Sequence, residues 1–128
     1  MPGAEELVAR LQGRTPIAVA SNTPNRLVRG ALACAGMLDS FEVVVTADHV
    51  AEPKPSPDVY LRACELLGTP SPRTIGLEDS PTGVAALRAA GMYAIGVPSF
   101  PGVRLDGADL VAEALHDPRV LAALGLGG

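Results

Sequence analysis

Lys54 is the only lysine in a chain that otherwise uses nine arginines, and it stands in the segment Glu52-Pro-Lys-Pro-Ser-Pro57. Prolines at 53, 55 and 57 fix φ at alternate positions and restrain the residues between them, so the ammonium is presented from a stiff point, as a contact to phosphate requires. A lone lysine on a surface loop reads equally as a solvated charge. Glu78 and Asp79 are adjacent carboxylates that follow an apolar run and precede Ser80-Pro81. Such a pair suits Mg²⁺, a hard cation that takes one or two carboxylates and completes its shell with water and phosphate oxygens. Acids are also favoured beside any helix N-terminus, which is the competing reading. Ser21 and Asn22 end another apolar run and offer donors to a phosphate oxygen, or an ordinary helix cap.

These groups need a scaffold, and the apolar pattern supplies one. Pro16 to Ala20 reads as a buried strand, followed by Leu27, Val28, Ala31, Leu32 and Ala35 at helical spacing up to Gly36. Phe41 to Thr46 is a second strand, and a helix follows from Ser56-Pro57 through Val59, Leu61, Cys64 and Leu67 to Gly68. Thr74 to Leu77 is a third strand, running into a helix from Ser80-Pro81 through Val84, Leu87 and Ala90 to Gly91. Met92 to Val97 is a fourth strand; Asp109 to Val111 makes a short fifth before a weaker helix that reaches about Leu121. Three times a Ser or Thr precedes the Pro that opens a helix, at Thr23-Pro24, Ser56-Pro57 and Ser80-Pro81, and three times a Gly closes it. In a parallel sheet with right-handed crossovers, all three helix N-termini fall at the carboxyl ends of the strands. That rim suits an anion.

The order Ile17-Ala-Val-Ala-Ser-Asn22, Lys54-Pro-Ser-Pro-Asp58 and Ile75-Gly-Leu-Glu-Asp-Ser-Pro-Thr-Gly83 resembles motifs two, three and four of the haloacid dehalogenase superfamily. The resemblance is greatest to its β-phosphoglucomutase and phosphoglycolate-phosphatase-like branch and covers about residues 2 to 100. It implies a Rossmann-like three-layer α/β/α fold with a mostly parallel sheet. It also implies that Ser21 and Asn22 bind a phosphoryl group, that Ser21 and Lys54 serve catalysis, Lys54 by neutralising phosphoryl charge, and that Glu78 and Asp79 hold Mg²⁺. The implied activity is a phosphatase or phosphomutase acting on a small phosphorylated metabolite.

The family's first motif, an Asp-x-Asp-Gly that carries the nucleophile, should precede the serine motif, yet residues 1 to 38 contain no aspartate. Arg104-Leu-Asp-Gly-Ala-Asp109 stands too late in the chain and reads as a turn. The chain is therefore expected to be a partial core, a single domain over 1–128 with a flexible tail at 124–128, lacking the first central strand and the cap. Without the nucleophile it should be inactive by itself. A non-catalytic module that binds phosphate or a partner subunit is the alternative. A central strand of about five residues would bring on the order of ten ladder bonds of about 1 kcal/mol each, comparable with a domain's whole stability. Its loss predicts a marginal fold, association with another chain, or direct pairing of the strands at 17–20 and 74–77.

Composition narrows the remaining classes. The 128 residues are 48% apolar and 3% aromatic, enough for one core built from Ala, Val, Leu and Ile. A net charge of −4 without clustered Lys or Arg argues against a nucleic-acid partner. No run approaches the ~20 apolar residues of a membrane span, and the acidic start Met-Pro-Gly-Ala-Glu-Glu is unlike a signal peptide, so the expected location is the cytoplasm. Cys34 and Cys64 read as buried reduced thiols, His49 and His116 as surface histidines, and Asp48 as a loop-capping acid.

Overall fold

The computed structural model describes residues 3–126. Helix α1 (Ala4–Leu11) leads into strand β1 (Ala18–Ala20) and helix α2 (Asn25–Cys34). Strand β2 (Val43–Val45) and helix α3 (Asp58–Leu67) follow, then β3 (Ile75–Glu78), α4 (Pro81–Ala89), β4 (Tyr93–Gly96), β5 (Leu110–Val111) and α5 (Pro118–Ala123). The alternation of strand and helix is that read from the apolar pattern, and all strand pairs are parallel. The strands are shorter than the apolar runs that announce them, because the flanking residues leave the ladder while staying in contact with the core.

The sheet is interrupted. β1 pairs only with β2, and β3 pairs with β4, which pairs with β5. β1 and β3 share no ladder, so direct pairing of these two strands, one of the three expected outcomes, does not occur. In a parallel strand, successive residues turn their N–H and C=O to opposite neighbours. The Ser21 N–H donates to the Val45 carbonyl and the Ile17 carbonyl accepts from Glu42, which assigns the odd residues of β1 to β2. The Thr74 and Glu78 carbonyls accept from Tyr93 and Val97, which assigns the even residues of β3 to β4. The backbone groups of Ala18 and Ala20 on one side, and of Ile75 and Leu77 on the other, consequently face the gap.

Side chains rather than main chain join the two halves. On one face Val45, Val59, Ala63 and Cys64 pack with Ala86, Leu87, Met92 and Ala94; on the other, Leu7 and Leu11 pack with Ile95, Val97, Leu115 and Val120. Those two clusters make the three layers. Gly76 is required by the first of them, since a Cβ there would lie 2.1 Å from Cδ2 of the fully buried Leu87. Asp109 ties β4 to β5 by accepting from the Ala94 N–H and from Arg88, at 2.8 and 2.7 Å. The Ala94 N–H, and then Arg88, hold its carboxyl below the usual range.

Several local expectations need correction. Only Ser80 acts as a hydroxyl cap, accepting from the Gly83 N–H at 3.1 Å with Pro81 in the first turn. α2 and α3 begin one residue later than expected, so Pro24 and Pro57 themselves occupy the cap position and no side chain of their own caps them. The free N–H of Asn25 is instead taken by Asp48 at 2.7 Å, from 23 residues away. Asp117 caps α5, accepting from the Arg119 N–H. The three closing glycines do adopt positive φ, at 72, 74 and 78°. Cys64 is buried but Cys34 is exposed. Six residues of helix turn Cys34 about 240° from Val28, the one buried residue of α2. The chain end is docked as far as it is described: Leu126 is buried, and its carbonyl accepts from Arg10 at 3.0 Å. Residues 127 and 128 lie outside the described residues. No described helix is long and apolar enough to cross a membrane.

Gly76→Ala should destabilise the fold by about 1–3 kcal/mol, the usual cost of forcing atoms into a filled core. Urea unfolding checks this, and an unchanged midpoint would show that Leu87 moves aside freely.

Candidate functional site

β1 and β3 end at the same rim because one side chain touches both. The Lys54 ammonium donates to the carbonyl of Ala20, the last residue of β1, at 3.1 Å and to Oε2 of Glu78, the last residue of β3, at 2.5 Å. The lysine backbone is anchored as well, its N–H donating to Oδ1 of Asn22 at 2.9 Å. Lys54, Asn22, Glu78 and, one residue before Asn22, Ser21 therefore gather at one end of the interrupted sheet. Asp79 follows Glu78 on the same rim.

The Lys54–Glu78 pair is largely sequestered, with side-chain exposures of 11% and 10%. Tyr60, from the first turn of α3, completes it: its hydroxyl donates to the same Glu78 oxygen, and its ring centroid lies 4.9 Å from the ammonium. Burial, and next the Glu78 charge, pushes the phenol well above its ordinary value, so it remains a donor. Gly83 makes room for the carboxylate, since a Cβ at that position would fall 1.9 Å from Glu78 Oε1.

The two adjacent carboxylates do not act as a facing pair. Successive residues at the end of a strand point to opposite sides. Glu78 turns inward to Lys54 and Tyr60, and half-buried Asp79 turns out to accept from the exposed Ser99 hydroxyl at 2.6 Å. Among the described residues no three His, Cys, Asp or Glu side chains gather as a metal cluster. The donor set thus fits Mg²⁺ through Asp79, a single carboxylate with one oxygen beyond its Ser99 bond, which is the sparse protein contribution this cation accepts.

Hydrogen-bond inventory shows what the rim offers. Ser21 Oγ already accepts from the Thr23 N–H at 3.1 Å, and Asn22 Oδ1 accepts from Lys54, so the remaining capacity of these two side chains includes a hydroxyl proton and an amide NH₂ group. Both are donors. His49 and His116 are exposed and stand apart from this cluster; His49 Nδ1 accepts from the Thr46 N–H at 3.0 Å. Tyr60, Gly83 and Ser99 escaped the sequence reading. Tyr60 carried the one available signal, because a tyrosine in an apolar helical stripe needs a partner for its hydroxyl.

Donors and an ammonium gathered at the carboxyl ends of parallel strands form a rim whose chemistry suits an anion. Residues 1–91 match the family model of haloacid dehalogenase-like hydrolases. The chain is 36% identical over 119 residues to the validoxylamine A 7'-phosphate phosphatase of Streptomyces hygroscopicus subsp. limoneus, covering 91% of this chain and 56% of that one. It is 33% identical over 121 residues to the β-phosphoglucomutase of Bacillus subtilis, covering 91% and 50%. Among solved structures, CbbY of Rhodobacter sphaeroides in complex with phosphate superposes with a TM-score of 0.87 at 33% identity, over 98% of this chain and 58% of that one. The chain belongs to the haloacid dehalogenase-like hydrolase family. Its relatives place it in the phosphoglucomutase and phosphatase-like branch, and it spans about half the length of the curated relatives it matches.

Removing one partner of a buried ion pair leaves the other charge stranded, at a cost of about 3–5 kcal/mol. Lys54→Met should therefore cost that much in denaturant unfolding, and Lys54→Met with Glu78→Gln less than half of it. Additive losses in this double-mutant cycle would show that the two side chains do not support each other.

Proposed function

We propose that this chain is the phosphate- and metal-binding core of a Mg²⁺-dependent phosphoryl-transfer hydrolase, of phosphatase or phosphomutase type, acting on a small phosphorylated metabolite. The observation that carries the reading is the convergence at one rim around Lys54: its backbone N–H donates to Asn22, its ammonium to the Ala20 carbonyl and to Glu78, and Ser21 stands between Ala20 and Asn22. Similarity to a validoxylamine A 7'-phosphate phosphatase, a β-phosphoglucomutase and a phosphate-bound structure supports it.

Each residue has a part that follows from its free hydrogen-bonding capacity. Ser21 and Asn22 donate to phosphoryl oxygens and orient the group. Lys54 neutralises charge on those oxygens, and Glu78 with Tyr60 holds the ammonium at a fixed place, so little reorganisation is needed when phosphate arrives. Asp79 would hold Mg²⁺, with Ser99 fixing the carboxylate's rotation. When bound, the cation supplies charge neutralisation on the phosphoryl oxygens.

These groups bind and orient, and none of them is an activated nucleophile. Turnover accordingly requires a nucleophile that these rim groups do not supply. Completed by a segment that supplies that nucleophile, the protein should hydrolyse small phosphomonoesters with Mg²⁺, and Asp79→Ala should lower kcat/KM by about a hundredfold or more, equivalent to at least ~2.7 kcal/mol of transition-state stabilisation. The 128-residue chain alone should bind inorganic phosphate without turnover. Undiminished hydrolysis by the Asp79→Ala protein would reject the assigned site.

A further inference from the structure

His49 occupies a position that a charged imidazole cannot hold. The Val45 carbonyl faces β1, so the N–H of Thr46 turns the other way, away from the one strand that pairs with β2 among the described residues. Thr46 is fully buried, and a buried N–H without a partner is costly. Its partner is the ring three residues on, where His49 Nδ1 accepts from it at 3.0 Å. The Thr46 hydroxyl accepts in return from the His49 N–H, so the short turn Ala47–His49 is closed reciprocally. That turn carries Asp48, whose carboxylate takes the free N–H of Asn25 at the start of α2, at 2.7 Å.

The arrangement fixes the protonation state of the ring. An acceptor at Nδ1 requires the neutral imidazole with its proton on Nε2. A second proton turns Nδ1 into a donor aimed at another donor. The Thr46 hydroxyl, 3.3 Å from Nδ1, can reverse its role, but the main-chain N–H cannot. A different resting place lies alongside. His49 borders an open groove of about 270 Å³ whose α3 wall carries Asp58, Arg62 and Glu65. Arg62 is ion-paired with Glu65, and Asp48 adjoins His49 in the chain, so three carboxylates face one guanidinium. This surplus of negative charge attracts a cationic ring and does little for a neutral one.

We propose that His49 is an acid-released latch on the N-terminus of α2. Neutral, the ring holds the Thr46 N–H, keeps the turn closed and so seats Asp48 on Asn25. Protonated, it leaves Thr46 for the groove beside Asp58 and Glu65, the turn opens, and Asp48 lets go. The two ring positions differ in both contacts and charge, as a two-state switch requires. The latch is closed at higher pH and opens as pH falls through the range of about 8 to 5 in which imidazole takes up a proton. The end of α2 that it releases follows directly on the segment of Ser21 and Asn22, so acid loosens the footing of these rim donors without titrating any rim group.

NMR of the 128-residue chain, titrated from about pH 8 to about pH 5, tests the latch. The Thr46 and Asn25 amide signals should move with the same midpoint as the His49 ring. Their exchange protection, corrected for the intrinsic pH dependence of exchange, should fall by about tenfold or more. His49→Gln keeps an acceptor oxygen that takes no proton, so both amides should stay protected throughout. His49→Ala should be loose at both ends of the range. Asp58→Asn combined with Glu65→Gln removes the pull of the groove and should move the release to lower pH. Thr46 and Asn25 amides that ignore the His49 titration, or that respond equally in the His49→Gln chain, would overturn the proposal. So would an Asn25 amide that stays fixed while Thr46 responds, or a release midpoint unmoved by the double variant.

Discussion

A sheet whose hydrogen-bond ladder stops in the middle sets the terms for the rest of this molecule. Main-chain continuity ends at β1 on one side and at β3 on the other, so the two halves are held together by side chains. Two apolar clusters clamp them from above and below, with Leu87, Val45 and Val59 in one and Ile95 and Val120 in the other fully buried. Burial of this kind is non-directional and does not require a continuous ladder. The remaining link is polar and directional, and it sits at the rim where Lys54 spans Ala20 and Glu78.

That placement gives one lysine two duties. Structurally it closes the carboxyl end of the gap; in the function we propose, it is the cation that a phosphoryl group would meet. The prolines around it, its N–H bond to Asn22, and the Tyr60 ring and hydroxyl beside Glu78 all restrict where the ammonium can go. A charge held in a low-dielectric pocket by a carboxylate and a phenol acts more strongly on an arriving anion than one free in water. Glu78 is therefore better understood as the partner of Lys54 than as an outward-facing acid, and Asp79, turned the other way toward Ser99, is left as the carboxylate open to a cation.

Much of this was legible in the amino-acid order, for identifiable reasons. The βα rhythm follows from short β-branched runs set against helical spacing, and Ser80-Pro81 reads correctly because cap, proline and first turn are contiguous. The same dipeptide logic misleads at Thr23-Pro24 and Ser56-Pro57, where each proline takes the cap position itself. Asp48 supplies the Asn25 N–H with its partner from the following βα unit, a contact that no local pattern encodes. Cys34 lies in an apolar stretch yet faces solvent, because α2 buries only Val28. Leu126, in a glycine-rich end that suggests fraying, packs under Leu115 and Val120. Ser21, Asn22, Lys54 and the Glu78-Asp79 step were all visible as rim residues, while their division of labour depends on side-chain direction, which spacing alone does not give.

The interruption itself is open to a direct measurement. In the 128-residue chain, residue-resolved amide hydrogen exchange should alternate along the two strands that border the gap: slow at Val19 and Gly76, whose N–H groups point to their paired neighbours, and fast at Ala18, Ala20, Ile75 and Leu77. Uniform protection across both strands, independent of protein concentration, would mean that β1 and β3 pair with each other in solution and would contradict this account.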